Sequence, residues 1–253
     1  MEWRDEAILL SARPHGETSV IAAVFTRERG RHLGLVRGGR SRRLRPILQP
    51  GNLVQAAWRA RLDEHLGTLT LELNHSLSSL YFDDPMALSA LSLICAHMGL
   101  LAERDPHPLL YDGARYLLSS MEEGEIWPGL LARFEMEILS ELGFQLDLTA
   151  CAATGGNDEL IYVSPKTGRA VSASAGEPYK DKLLALPAFL SGSSASAVTP
   201  IDLANAFKLT GYFFEKHIYS QRGEKDSAAR LNFLRYFKQQ NDGLDDGPGW
   251  SSL

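Results

Sequence analysis

Cysteine is nearly absent: Cys95 and Cys151 are the only two in 253 residues. Two thiols make no disulfide framework, which fits a reducing compartment. Long apolar runs are missing as well. The longest candidate, 87–101, contains Ser89, Ser92 and His97, and reads as a buried helix rather than a membrane span of roughly 18 residues. The opening residues, Met1 to Glu6, are charged where a signal peptide would be apolar. A cytoplasmic protein with no membrane partner is expected. No P-loop, His-Glu-x-x-His helix or Gly-x-Ser-x-Gly elbow is present, and no two histidines stand at i, i+4. These absences remove the commonest motif-bearing hydrolases. The acidic clusters that remain are weak: Asp83-Asp84 at a strand-to-helix junction, Asp63-Glu64-His65 in a turn, and Asp245-Asp246 near the end. No catalytic residue and no cofactor are expected.

Two further scarcities are positional. Lysine does not occur before Lys166, so every earlier basic residue is arginine, and between residues 27 and 61 the only acid is Glu28. That stretch holds ten of the 26 basic residues: Arg27, Arg29, Arg31, Arg37, Arg40, Arg42, Arg43, Arg45, Arg59 and Arg61. It carries about +9 in a chain whose net charge is −5, leaving about −14 for the rest. A solvated surface ordinarily mixes signs, whereas a one-sign segment repels itself until a polyanion docks. Arginine's planar fork suits phosphate, and Gly38-Gly39 lets the chain lie flat and offer backbone N–H groups. The island therefore reads as a nucleic-acid surface.

Hydrophobic periodicity divides the chain. Short apolar or alternating runs lie at 7–10, 19–25, 32–36, 52–61 and 67–73, separated by Pro14-His15-Gly16, Arg29-Gly30, Gly38-Gly39 and Pro50-Gly51. Five short strands in under 80 residues predict a small barrel of the OB-fold kind. Trp58, flanked by Ala57 and Arg59, is a candidate base-stacking platform or a core residue; Phe25, inside an apolar run, reads as core. From Asp84-Pro85 the period becomes helical, with N-cap and proline pairs again at Thr199-Pro200 and helices over 84–98, 109–121, 128–142, 200–213 and 227–238. Residues 147–176 interrupt with turn chemistry around Leu160 to Val163, predicting an inserted hairpin. The Ser/Gly-rich stretch 191–196 reads as a loop and 241–253 as a disordered tail. The fold class is α+β: a barrel domain over 1–80, then a helical domain over 81–240 with its insert.

Several segments, in order, carry a resemblance. Residues 7–19 (AILLSARPHGETS), 25–30 (FTRERG), 36–43 (VRGGRSRR) and 48–51 (LQPG) are similar to the N-terminal domain of the bacterial RecO recombination-mediator proteins. The helix 131–144 (LARFEMEILSELGF), the closely following Cys151, and 229–234 (ARLNFL) resemble the same family's C-terminal part.

The resemblance implies an OB-fold, a helical domain with a zinc-ribbon-like insert, and a non-enzymatic protein of recombinational DNA repair. Such proteins bind single- and double-stranded DNA, anneal strands, and work with RecR to load RecA onto strands coated by single-strand-binding protein. It marks Arg37, Arg40, Arg42 and Arg43 as DNA contacts, to which the charge island adds Arg45 and the strand reading adds Trp58. Arg133 is marked for the C-terminal tail of single-strand-binding protein, the alternative being an i, i+4 pair with Glu137. Some members hold zinc with four cysteines; the matching positions here are Cys151, Thr154, Ser172 and Ala175, so a metal-free insert is expected. The competing classes are a metal-dependent nuclease using Asp83, Asp84 or Glu64, and an adaptor whose arginines meet an acidic protein.

Overall fold

The computed structural model describes residues 1–241 apart from 63, 125, 193–196, 224 and 225. The expected tail from 242, with Asp245-Asp246, and parts of the 63–65 turn and the 191–196 loop lie outside the described residues. Two compact units are formed, Met1–Glu123 and Gly124–Leu253.

The first unit is built on a closed barrel of five strands: β1 (Glu2–His15), β2 (Ser19–Thr26), β3 (Gly30–Val36), β4 (Leu53–Arg59) and β5 (Thr68–His75). Its circuit is β1-β2-β3-β5-β4, with β4 returning to β1. The long β1 closes it by serving two neighbours: Glu2 to Ile8 pair with β4, and Ala7 to His15 pair with β2. Where the roles overlap, the register slips between Leu9 and Ser11, the bulge a strand needs to bend around a small barrel. β3 and β5 run parallel and meet at one pair, Leu35 and Thr68. This is the OB-type arrangement predicted from the strand spacing.

Alternation fills the barrel. Val20, Ala22 and Val24 point inward from β2; Val54, Ala56 and Trp58 do so from β4, and Leu69 and Leu71 from β5. After a single turn, α1 (Leu77–Leu80), come α2 (Pro85–Met98) and α3 (Pro108–Glu123). Asp84 caps α2, its carboxylate accepting from the Ala87 N–H at 3.0 Å, as the Asp84-Pro85 pair predicts. Both helices belong to the barrel's compact unit. Cys95 reaches the Leu9 carbonyl at 3.4 Å, and the Arg31 Nε donates to the Leu101 carbonyl at 3.0 Å. The packing boundary thus falls some 40 residues beyond the change of hydrophobic period at Asp84.

In the second unit, α4 (Trp127–Glu141), α6 (Pro200–Phe214) and α8 (Ala228–Gln240) carry the core, with Leu131, Ile138, Phe207, Phe213, Phe233 and Phe237 buried. Thr199 and Asp202 form a reciprocal capping box at the start of α6. One π-type turn, Glu215–Tyr219, continues α6 into the short α7 (Ser220–Arg222). The insert is larger than the hairpin expected. β6 (Leu160–Val163) and β7 (Ala170–Ser172) pair as predicted, but β6 also takes β8 (Leu184–Ala185) on its other edge. Between them lie α5 (Ala173–Gly176) and a 3-10 segment, Glu177–Lys182.

Candidate nucleic-acid interface

The arginine island's dense part is the β3–β4 connection, and it is ordered by its own hydrogen bonds. The Leu44 and Arg45 N–H groups donate to the Ser41 carbonyl at 3.2 Å, and those of Ile47 and Leu48 to the Leu44 carbonyl at 3.1 and 3.0 Å. Such helical turns place residues three or four apart on one side. Leu44, Ile47 and Leu48 accordingly sit against the barrel core, while Arg42, Arg43 and Arg45 face solvent. The buried Asn52 locks the connection from beneath. Its Nδ2 donates to the carbonyls of Pro46 (2.8 Å) and Ile47 (3.2 Å), and its Oδ1 accepts from the N–H and hydroxyl of Ser78. The loop is held in place before any ligand arrives.

Nine of the ten arginines, all but Arg61, divide by what they touch. Arg27 makes a fork onto Asp112, Nε to Oδ1 and Nη2 to Oδ2 both at 2.9 Å. Arg29 lies 5.7 Å over the Trp3 ring, and Arg31 holds the Leu101 carbonyl. These three brace the barrel. Arg40 reaches back to the β1–β2 turn, donating through Nη1 to the carbonyls of Gly16 and Glu17 at 3.3 and 3.0 Å. Among the described residues Arg37, Arg42, Arg43 and Arg45 are exposed and have no ion-pair partner. Arg59 has a carboxylate only at 3.9 Å, that of Glu2. Cations left this free are available to phosphate.

A groove of about 790 Å³ lies beside this loop, with Arg37, Arg43 and Arg59 on its walls and Leu44, Ile47 and Leu73 among its apolar lining. Arg40, Arg42 and Arg45 are not part of it. Sequence reasoning did not single out Arg59. It belongs to the same charge island, but only barrel closure brings the end of β4 beside the β3–β4 loop.

Two expectations are corrected. Trp58 has no exposed surface and offers no face to a base. Its Nε1 donates to the carbonyls of Leu33 (3.2 Å) and Leu66 (3.1 Å), and its ring stacks on Trp3 at 6.0 Å. Val54, Ala56 and Trp58 share the inward face of β4, which fixes the indole there; Phe25 is core as expected. Gly39 is buried, and its N–H is already spent on the Val36 carbonyl at 3.3 Å. A Cβ there would fall 2.6 Å from Val20, so this glycine serves close packing rather than phosphate contact.

In the second unit Arg133 is exposed on α4 and donates through Nη2 to the Phe189 carbonyl at 2.6 Å, in place of the alternative pair with Glu137. One turn earlier, Gly129 looks onto Leu203 and Phe189, each just under 4 Å from where a Cβ would stand. In the insert, Cys151 is buried and its sulfur accepts from the Ser172 N–H at 3.3 Å. The Ser172 N–H bond to the sulfur, with the Thr154 hydroxyl, favours the thiolate and lowers its pKa from the ordinary thiol value. One sulfur, two hydroxyls and Ala175 do not make a structural zinc donor set. Among the described residues no group of three or more His, Cys, Asp or Glu is placed to hold a metal ion. Asp84, one of the residues a nuclease would need, is engaged as a helix cap.

The architecture is thus an OB-type barrel with a preordered arginine loop, followed by a helical unit with a three-stranded insert. Comparison with known proteins gives the family. The model for the N-terminal part of recombination protein O matches residues 1–76, and that for its C-terminal part matches 83–226. The DNA repair protein RecO of Mesorhizobium japonicum is 50% identical over 241 residues, 95% of each chain. Those of Methylobacterium nodulans and Rhodospirillum centenum are 51% identical over 238 residues and 50% over 242, covering 92% and 94% of this chain and 97% and 96% of the relatives. The chain belongs to the RecO family of DNA repair proteins. No described helix is long and apolar enough to cross a membrane.

Proposed function

We propose that this protein is a recombination mediator that binds single- and double-stranded DNA through its arginine loop and anneals complementary strands. Acting with RecR, it loads RecA onto strands coated by single-strand-binding protein. The observation that carries the reading is the set of unpaired, exposed arginines Arg37, Arg42, Arg43 and Arg45 on a loop already ordered over an OB-type barrel. Phosphate contacts position a nucleic acid without reading its sequence, and they release counterions. Arginines set against two strands offset the repulsion between their phosphates, so pairing proceeds without nucleotide hydrolysis. The protein works as a cytoplasmic, nucleoid-associated and non-enzymatic factor, and its insert keeps its shape through hydrogen bonding without metal.

The tail of single-strand-binding protein, acidic and ending in an apolar residue and a free carboxylate, docks at Arg133. Support comes from a guanidinium tethered at one nitrogen, with its remaining N–H groups left for a carboxylate.

Fluorescence anisotropy across a salt series, with single and duplex strands, tests the DNA reading together with a nucleotide-free annealing assay. Affinity should fall steeply with salt, and the pair Arg37→Glu and Arg43→Glu should cut both affinity and annealing. Unchanged binding in that variant, or cleavage of labelled strands in magnesium, overturns it. A tail peptide that binds the Arg133→Ala variant as well as the wild type overturns the docking assignment.

A further inference from the structure

The groove at β5 has a construction that the arginine loop alone does not explain. β3 and β5 pair only at Leu35 and Thr68, so beyond Thr68 the β3-facing edge of β5 has no strand beside it. The β3–β4 connection rises next to that edge, and the space between them is the groove of about 790 Å³. Clefts of about 300–1,000 Å³ suit a compact organic ligand, the size class of a nucleobase with its sugar. Arg37 and Arg43 come from the loop and Arg59 from β4. The carboxylate in the lining, Glu72, is held by Arg4 at 3.0 Å, which lowers its repulsion toward an incoming phosphate. Leu44 and Ile47 are half-buried on one side, and Leu73 is 39% exposed on the other.

Resting on the reading of this barrel as a DNA-binding one, we infer that the groove is a seat for the bases of a single strand, with Arg37, Arg43 and Arg59 holding the flanking phosphates. A duplex presents phosphates to such a surface but keeps its base faces stacked inside, so it gains nothing from an apolar lining. An unpaired strand can turn its bases into the groove. The residues outside it, Arg42 and Arg45, meet phosphates only and serve both forms of DNA alike. Single-strand preference therefore resides in Leu73 and Arg59 rather than in the densest arginines. The apolar side chains lining the groove are all aliphatic, so their contact with a base comes from dispersion and desolvation without ring stacking.

The test compares oligothymidylate, an abasic strand of the same length and a duplex, each by anisotropy with the full-length protein. Wild type should bind oligothymidylate about tenfold more tightly than the abasic strand, the scale of burying one leucine-sized apolar surface, and Leu73→Asp should close that gap. Arg59→Glu should weaken oligothymidylate binding several-fold more than duplex binding, while Arg42→Glu weakens both equally. Leu73→Thr keeps a strand-forming residue and should narrow the gap even if the aspartate variant unfolds. Equal binding of abasic and normal strands, or equal losses on both DNA forms in Leu73→Thr and Arg59→Glu, overturns the seat. If Arg42→Glu still weakens both forms in that event, the DNA-binding reading stands and only the seat fails. If wild type binds neither form, both fall.

Discussion

Arg230 donates through Nε to Glu135 at 3.1 Å, and neither side chain has any exposed surface. The remaining groups of this pair are also engaged. Thr210 donates to the Glu135 carboxylate, and Arg230 donates to the Phe207 carbonyl and, at 3.4 Å, to Asp226. Gly211 is packed so closely that a Cβ would stand 2.6 Å from the guanidinium. The pair joins α4 to α8 across α6.

Removing one partner leaves a buried charge without compensation. Arg230→Met should lower stability by about 3–5 kcal/mol, measured by urea unfolding. Glu135→Leu in the same chain should restore part of the loss, because two apolar side chains carry no stranded charge. A double variant no better than the single would refute this account.

The arginines should sort into two classes by salt response. Glutamate at Arg42 and Arg45 together should reduce the slope of log affinity against log salt by about 1.4 on single strands, roughly 0.7 per phosphate contact. Arg27→Glu, which breaks the fork onto Asp112, should leave that slope unchanged while lowering the melting temperature.

Asn52→Ala changes no charge and touches no proposed DNA contact. It leaves the carbonyls of Pro46 and Ile47 and the Ser78 N–H without their partner, at a cost of about 1–3 kcal/mol. DNA affinity should also fall, since the loosened loop must be ordered on binding, but the salt slope should stay at the wild-type value. A fall in slope would mean that phosphate contacts themselves are lost.

The two thiols should titrate far apart. Cys151 is drawn below the ordinary thiol value by the Ser172 N–H and the Thr154 hydroxyl, while burial pushes Cys95 up to about 12. Because the fold favours the Cys151 thiolate, that stabilisation is complete above the ordinary thiol value of 9 and fades as pH falls through the lowered folded-state value. Thiolate absorbance followed from about pH 5 to 9 should show one group titrating, and Cys151→Ala should abolish it. Two groups in that window would contradict the burial of Cys95.

Much of the barrel is legible in the sequence because its inner face alternates and its turns carry glycine or proline. The helix starts at Asp84-Pro85 and Thr199-Pro200 are legible for a local reason: a cap needs its own residue types. Three things are not. The full length of β1 is hidden because Glu2, Arg4 and Glu6 alternate with Trp3 and Asp5 at the strand's start, where only one position in five is apolar. β8 has two residues and no period. The meeting of Arg59 with Arg37 and Arg43 depends on barrel closure, which no local pattern encodes. Trp58 is a different case. Gln55, Ala57 and Arg59 alternate with Val54, Ala56 and Trp58, and that alternation outranks the neighbouring arginine as a guide to the indole's direction.

The bonds of Arg40 carry a consequence for how this chain can vary. Its backbone N–H is bound to the Thr18 carbonyl at 3.0 Å while its guanidinium spans Gly16 and Glu17. The β1–β2 turn is therefore measured by a residue of another loop. Insertions in most surface turns cost little, but one extra residue between His15 and Ser19 would carry all three carbonyls out of reach. Two segments far apart in the chain are thereby bound to keep their lengths together, and a change in one would be tolerated only with a matching change in the other.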